Sequence, residues 1–276
     1  MFGGNVPIGA GLSSSAALEG GVLFGLAELN NWKISPMKMA QIAQKAENEF
    51  VGVQCGIMDQ FASLNGKEAH ALKLDCRTLE YEKVPFRDPD FKIVLCDTGV
   101  RRELAGSEYN IRREQCEKGV TIIQKTHPDV VKLRDVTLEM LENHREEMDP
   151  VVFDRCEFVI EENNRVLAAC KDLEDDDIDA FGEKMYGSHH GLQHKYEVSC
   201  KELDILVDIA RDVDGVIGAR MMGGGFGGCT INLVRTDSVE SFKKKVSEEY
   251  SGQTGIDVVI YETTISDGTR IIKKVK

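Results

Sequence analysis

The segment Pro7-Ile8-Gly9-Ala10-Gly11-Leu12-Ser13-Ser14-Ser15-Ala16-Ala17 constrains this chain more than any other. Gly9 and Gly11 let a backbone come close to whatever it faces, and the serine run reads as the cap of a helix that begins at Ser13. The exposed N–H groups of a helix start carry about half a positive charge. Serine hydroxyls add donors, or a magnesium ligand, without the bulk of a lysine. This is chemistry for holding an anion. Two familiar phosphate loops are excluded: no Gly-Lys-Ser/Thr closes the segment, and Ser14 stands where the dinucleotide fingerprint needs its third glycine. Taken alone, the segment also suits a helix that is merely well capped.

Net charge decides which anions such a loop can serve. The 276 residues carry 34 Lys and Arg against 47 Asp and Glu, a formal charge of −13. That is the wrong sign for a protein that gains affinity by neutralising nucleic-acid phosphates. A small anion must instead be held by local backbone dipoles, because the summed field of the protein repels it. No window offers a membrane-spanning apolar run, and the N-terminus has no basic segment followed by an apolar one and a cleavage site, so the expectation is a cytoplasmic protein without membrane contact. The eight cysteines are scattered singly, without the close pairs of zinc or redox motifs, and are expected to be reduced and mostly buried.

Periodicity orders the rest. A helix is expected from Ser13 to about Leu29, with Ala16, Leu18, Val22, Leu23, Leu26 and Leu29 as its apolar face. Ser35 and Pro36 open a second helix through Phe50, whose inward stripe includes Met39, Ile42, Ala43, Ala46 and Phe50. A short helix around Asp59 to Ser63 precedes strands at His70 to Asp75 and Phe91 to Cys96. Helices follow at Leu104 to Thr126, Leu138 to Met148, Phe153 to Leu173, Asp177 to Gly191 and Ser199 to Val213, and the acidic run Glu174 to Asp177 reads as a solvated loop. An apolar strand entered through glycines, a helix from Val239 to Tyr250 and a strand at Val258 to Ile265 complete the chain. With no linker between them, two domains share a surface, and a cleft there is the default site.

Three other features bear on chemistry. Glu47 lies where a helix ends, a position at which a carboxylate opposes the helix dipole; it is either a surface acid or a functional one. Asp59, in Gly56-Ile57-Met58-Asp59-Gln60, is either a helix cap or a partner to Glu47 in one cleft. Beside a bound triphosphate one carboxylate would hold magnesium, which prefers oxygen ligands, and the other accept a hydroxyl proton. Gly223-Gly224-Gly225-Phe226-Gly227-Gly228 is too glycine-dense for an ordinary strand entry and reads as backbone packed against a loop or phosphates, or else as a bulge. It precedes a strand and not a helix, which argues against a nucleotide-binding oxidoreductase. His189, His190 and His194 share a helix without the acids or cysteines that would make them metal ligands, and read as ordinary helix residues.

In this order the segments resemble the galactokinase branch of the GHMP small-molecule kinases. Pro7 to Ala17 is similar to the family's phosphate loop, CGIMDQF at Cys55 to Phe61 to its catalytic-aspartate segment, and ARMMGGGFGGC at Ala219 to Cys229 to its third motif. GSEYNIRREQC at Gly106 to Cys116 resembles the branch's segment whose tyrosine contacts the sugar. The resemblance implies a two-domain α+β fold of mixed and antiparallel sheets with helices. Residues 1–66 would form an incomplete N-terminal domain and residues 67–276 the C-terminal one. It implies phosphoryl transfer from ATP to the anomeric hydroxyl of galactose, with a non-catalytic galactose- and ATP-binding sensor as the alternative. Pro7, Gly9, Gly11, Leu12, Ser13, Ser14, Ser15 and Ala16 would wrap the ATP phosphates. Ser15 and Glu47 would lie at Mg2+, and Asp59 would act as base. Gly56, Asp59 and Tyr109 would shape the sugar site, and Gly223, Gly224 and Gly225 would support the phosphate loop. The branch also carries a GRxNLIGEHTDY-type segment before that loop, whose arginine stabilises transferred charge. This sequence has none, so the expectation is a chain with little or no turnover by itself.

Overall fold

A computed structural model describes residues 3–7, 11–52, 55–86, 90–100 and 105–272, without the side chains of 105–107. The Cα positions divide into two compact units, one of residues 1–89 with 264–276, the other of residues 90–263.

Within the first unit, α1 (Ser14–Leu29), α2 (Pro36–Ala46) and α3 (Met58–Asn65) pack together beside the antiparallel pair β1 (His70–Leu74) and β2 (Tyr81–Pro85). Ser35 caps α2 as expected, its hydroxyl accepting from the Lys38 N–H at 3.3 Å with Pro36 at the first position. The core is Ala27, Met39, Ala40, Ile57, Phe61 and Leu64. Two expected faces are corrected. On α1 the buried residues are Ala16, Gly20 and Ala27, whereas Leu18, Leu26 and Leu29 are exposed, Leu29 at 82%. Small residues let α3 approach: a Cβ on Gly20 would already touch Leu64 at 3.4 Å. On α2 the buried residues are Met39, Ala40 and Ala43, and the last turn is a π turn, Glu47–Val51, closed by a Gly52 N–H to Glu47 C=O bond of 3.0 Å. The wider turn shifts the helical phase after Ala46, which takes Phe50 off the stripe. Ile42 and Ala46 face solvent, and Phe50 is 92% exposed.

In the second unit an antiparallel sheet has the order β4-β5-β3-β6, with β3 (Phe91–Asp97), β4 (Val216–Met221), β5 (Cys229–Arg235) and β6 (Val259–Thr263). Val94 sits opposite Asn232 on one side and Glu262 on the other. Helices α7 (Ile178–His194), α8 (Lys201–Arg211) and α9 (Val239–Thr254) surround it. Val94, Leu206, Val207, Val234, Phe242, Val246 and Tyr250 form its core. The Tyr250 hydroxyl donates to the Thr98 C=O at 2.8 Å, so this buried ring keeps its polar end satisfied. A second core under α4 (Ala105–Ile123), α5 (Leu138–Glu142) and α6 (Pro150–Glu174) centres on Ile123, Leu141 and Phe153.

Strands β2 and β4 were not expected, and the Leu138 helix ends at Glu142 instead of reaching Met148, a separate 3₁₀ turn following at Arg145–Glu147. The glycine run is therefore the connection of the β4-β5 hairpin and not simply the entry to one strand. The acidic run is an exposed turn in which Asp177 does more than meet solvent: it caps α7, accepting from the Ala180 N–H at 3.0 Å. All eight cysteines are free thiols; Cys96, Cys156, Cys200 and Cys229 are buried, and Cys76 is exposed. Among the described residues no helix is long and apolar enough to cross a membrane.

Candidate functional site

The glycine- and serine-rich segment Pro7 to Ala17 runs into α1. Ser13 occupies the cap position in a left-handed conformation, φ 56°, and its side chain makes no capping hydrogen bond. The expected serine cap is thus absent, for a geometric reason: a capping hydroxyl normally sits on extended backbone, folded over the first turn. The first amides of α1 consequently have no side-chain acceptor from the cap, and a serine held at φ 56° is strained by about 1 kcal/mol or more. Gly11 is likewise at φ 72°. Ser14 and Ser15 form the first turn, with Ser15 exposed, while Ala16 is buried and anchors the turn. Pro7 and Leu12 are half-buried. Ile8, Gly9 and Ala10 lie outside the described residues.

Glu47 and Asp59 come from elements that pack on one another. Glu47 opens the π turn at the end of α2. Asp59 is not the cap of α3; Ile57 holds that place, and Asp59 is the second residue of the first turn, where the helix dipole favours a negative charge. Among the described residues its half-buried carboxylate makes no hydrogen bond or ion pair, which leaves its oxygens for a ligand. The next residue, Gln60, is 1% exposed and donates from Nε2 to Glu47 Oε2 at 3.1 Å.

Asn48 and Gln44 hold the far side of the same turn. Asn48 Oδ1 accepts from the Cys55 N–H at 3.1 Å, and Gln44 Nε2 donates to the Cys55 C=O at 3.1 Å. Burial, and then the Glu47 charge, push the Cys55 thiol up, so it stays protonated. Glu19, one turn beyond Ser15 on α1, is pushed up first by burial and then by the Glu47 charge, with Gln60 opposing. Gly56 is exposed, with nothing within 4 Å of where a Cβ would stand.

Sequence reasoning missed Gln60 and Glu19. The signals were present: Gln60 is a polar residue on the inward side of a short apolar helix, and Glu19 follows Ser15 at the four-residue spacing that puts both on one helix face.

The remaining expected residues belong to the second unit. Tyr109 lies on α4, 42% exposed, and lines a cavity of about 540 Å³ with Arg113, Cys116, Val159 and Tyr196. Arg112 of the same segment is buried and structural, its guanidinium donating to the Tyr196 and Glu197 carbonyls at 2.7 and 2.9 Å. In the glycine connection Gly225, φ 89°, leaves no room for a side chain, since a Cβ would run into the Val198 C=O, which also accepts the Phe226 N–H at 2.6 Å. Gly224 is different: its φ is not positive and nothing lies within 4 Å of a Cβ there. Gly223 has φ 75° and open space.

His189 is buried, its Nδ1 accepting the Met221 N–H at 3.2 Å and its Nε2 lying 3.4 Å from Asp204 Oδ1. His190 and His194 pack ring to ring, with centroids 4.4 Å apart.

Comparison with known proteins agrees with these motifs. The family description GHMP kinases N terminal domain matches residues 2–67, and GHMP kinases C terminal matches residues 168–252. Galactokinase of Clostridium beijerinckii is 45% identical over 275 residues, covering 99% of this chain and 70% of that protein. Galactokinase of Thermotoga maritima is 42% identical over 268 residues, covering 97% and 74%. Among solved structures, Lactococcus lactis galactokinase complexed with galactose superposes with a TM-score of 0.90 at 37% identity, over 96% of this chain and 68% of that one. L. major mevalonate kinase, at 17% identity and a TM-score of 0.59, shares the fold. With motifs, fold and similarity along nearly all of this chain in agreement, the chain belongs to the galactokinase family of the GHMP kinases.

Proposed function

We propose that this chain transfers the γ-phosphoryl group of ATP to the anomeric hydroxyl of galactose, giving galactose 1-phosphate and ADP. The observation that carries the reading is Asp59. It is a carboxylate without a protein partner among the described residues, set in the first turn of α3 inside a CGIMDQF segment, in a chain 45% identical to a galactokinase. Asp59 accepts the proton of the sugar hydroxyl as the bond to phosphorus forms. Gly56 and Tyr109 bound the sugar. Pro7, Gly9, Gly11, Leu12 and the serines Ser13 to Ser15 hold the nucleotide phosphates, with the uncapped amides at the start of α1, seated on Ala16, supplying the donors. Such a transfer leaves the protein positioning and charge stabilisation to do, and little covalent work.

The residues present fit a magnesium ion. Glu47 and Ser15 offer hard oxygen ligands, and Glu19 Oε2 is buried with no hydrogen-bond partner among the described residues, beside the Glu47 charge, an excess of negative potential suited to a divalent cation. Glu47 and Ser15 would hold the ion, which when bound offsets the charge of the phosphates. The domain assignment, 1–66 and 67–276, and a cytoplasmic location, where ATP is at hand and thiols stay reduced, belong to the same reading.

A coupled assay of galactose-dependent ADP release, with 31P NMR of the product, tests it. The expected outcome is a sugar 1-phosphate signal, weak in keeping with the low turnover expected from the sequence, that requires galactose, ATP and magnesium together. Bound nucleotide with no sugar phosphate formed would favour the sensor, a reading that relatives named as kinases do not support.

A further inference from the structure

The buried amide of Gln60 joins the two acidic positions, and none of the roles proposed above uses it. Its Nε2 lies 3.1 Å from Glu47 Oε2, its side chain is 1% exposed, and its Oε1 has no hydrogen-bond partner among the described residues. An amide so deeply buried with half its capacity unmet is costly, so a reason for keeping it is required. Packing alone would be served better by leucine or methionine in the cluster of Ile57, Phe61 and Leu64.

The chemistry of the group supplies the reason. A neutral amide can orient a carboxylate through a hydrogen bond without neutralising it. A lysine or arginine there would cancel the charge that a divalent cation needs, and a second acid would repel Glu47. Glu47 sits where regular α2 gives way to the π turn, its N–H still bonded to the Ala43 C=O, on a turn whose outer residues Phe50 and Val51 are exposed. Asn48 and Gln44 fix the far side of the turn through the backbone of Cys55, and Gln60 fixes the carboxylate itself. Because Gln60 follows Asp59 directly, one short helix positions both.

We infer that Gln60 is a positioning residue, holding the Glu47 carboxylate in the orientation that binds the divalent cation and tying it to the helix that presents Asp59. The inference rests on the reading of Glu47 as a cation ligand. Outer partners of metal ligands typically account for about 10- to 100-fold in metal affinity.

The test is Mn2+ binding to the nucleotide-saturated chain, read from the free-Mn2+ EPR signal, beside the Mg2+ concentration for half-maximal rate. Gln60→Met keeps the volume and removes the donors; about tenfold weaker Mn2+ binding is expected, with a matching rise in the Mg2+ requirement and an unchanged KM for galactose. Gln60→Asn keeps an amide one methylene short of Glu47 and is expected to move both readouts the same way, which covers the case in which the methionine variant does not fold. Unchanged Mn2+ affinity in a folded variant overturns the inference, even if stability or kcat falls. Glu47→Gln separates the two levels. If it weakens Mn2+ binding while the Gln60 variants do not, only the role of Gln60 falls. If it too leaves binding unmoved, the reading of Glu47 has failed and this inference with it.

Discussion

Asp59 and Asp204 are both acids on helices, and their surroundings give them opposite employment. Asp59 makes no hydrogen bond or ion pair among the described residues, so its oxygens cost the fold little to redirect. Asp59→Asn should lower kcat by about 10²- to 10⁴-fold, the usual contribution of a positioned base, with nucleotide affinity by calorimetry unchanged; near-normal turnover would remove Asp59 from the role. Asp204 is committed to structure. Burial pushes its carboxyl up, but hydrogen bonds from His189 and Ser199 outweigh that and hold it below its ordinary 3.8. A carboxyl lowered on folding adds stability that is present above pH 3.8 and lost as pH falls through the folded value. Asp204→Asn should therefore be less stable than the parent at pH 7 in urea titrations, with the gap closing below pH 3.8. In the sequence Asp59 stood out as an acid that could share a cleft with Glu47, and the resemblance of CGIMDQF gave it the role of base. Whether it capped α3 was not legible, since the cap depends on where the preceding loop turns.

At the scale of elements, glycines decide how closely helices and strands approach. Gly182 on α7 faces the backbone of β4: a Cβ there would meet the Ile217 carbonyl, and one on Gly218 would lie 2.7 Å from the Gly182 Cα. Gly182→Ala forces the helix off the sheet and should cost about 1–3 kcal/mol, the scale of overpacking, seen as a lower denaturant midpoint at unchanged m. The glycine connection behaves unevenly. Gly225 is fixed by its φ and by Val198, but Gly224 has neither constraint. Gly224→Ala should fold with the parent's Tm, so a rise in the KM for ATP would report an approach of ligand or loop to this backbone; parent-like kinetics would withdraw Gly224 from the site. The sequence was legible here in part. Glycine density announced that close approach was needed, and Ser35 with Pro36 placed the start of α2. The buried face of α1 was misread because a stripe of Ala16, Gly20 and Ala27 looks weakly apolar, and Phe50 was misplaced because a π turn changes the helical period after Ala46.

For the whole molecule, a formal charge of −13 means that the folded state works against its own repulsion. Raising KCl from about 20 to about 200 mM shortens the Debye length from roughly 20 Å to under 10 Å, and Tm should rise; a flat or falling Tm would show that favourable ion pairs dominate instead. The amino-acid sequence by itself determined the chemistry on offer: a serine-rich helix start of the kind that suits an anion, two oxygen-bearing acids and a glycine-dense connection, each legible because short segments carry their own turn and capping preferences. Tertiary structure alone decided which of these groups meet. That Ser13 leaves the α1 amides without a side-chain cap and that a π turn presents Glu47 are seen only in the folded backbone, and that a buried Gln60 joins Glu47 to the helix of Asp59 follows from the packing of α2 on α3. Such contacts depend on backbone approach and helical phase, which no local pattern encodes.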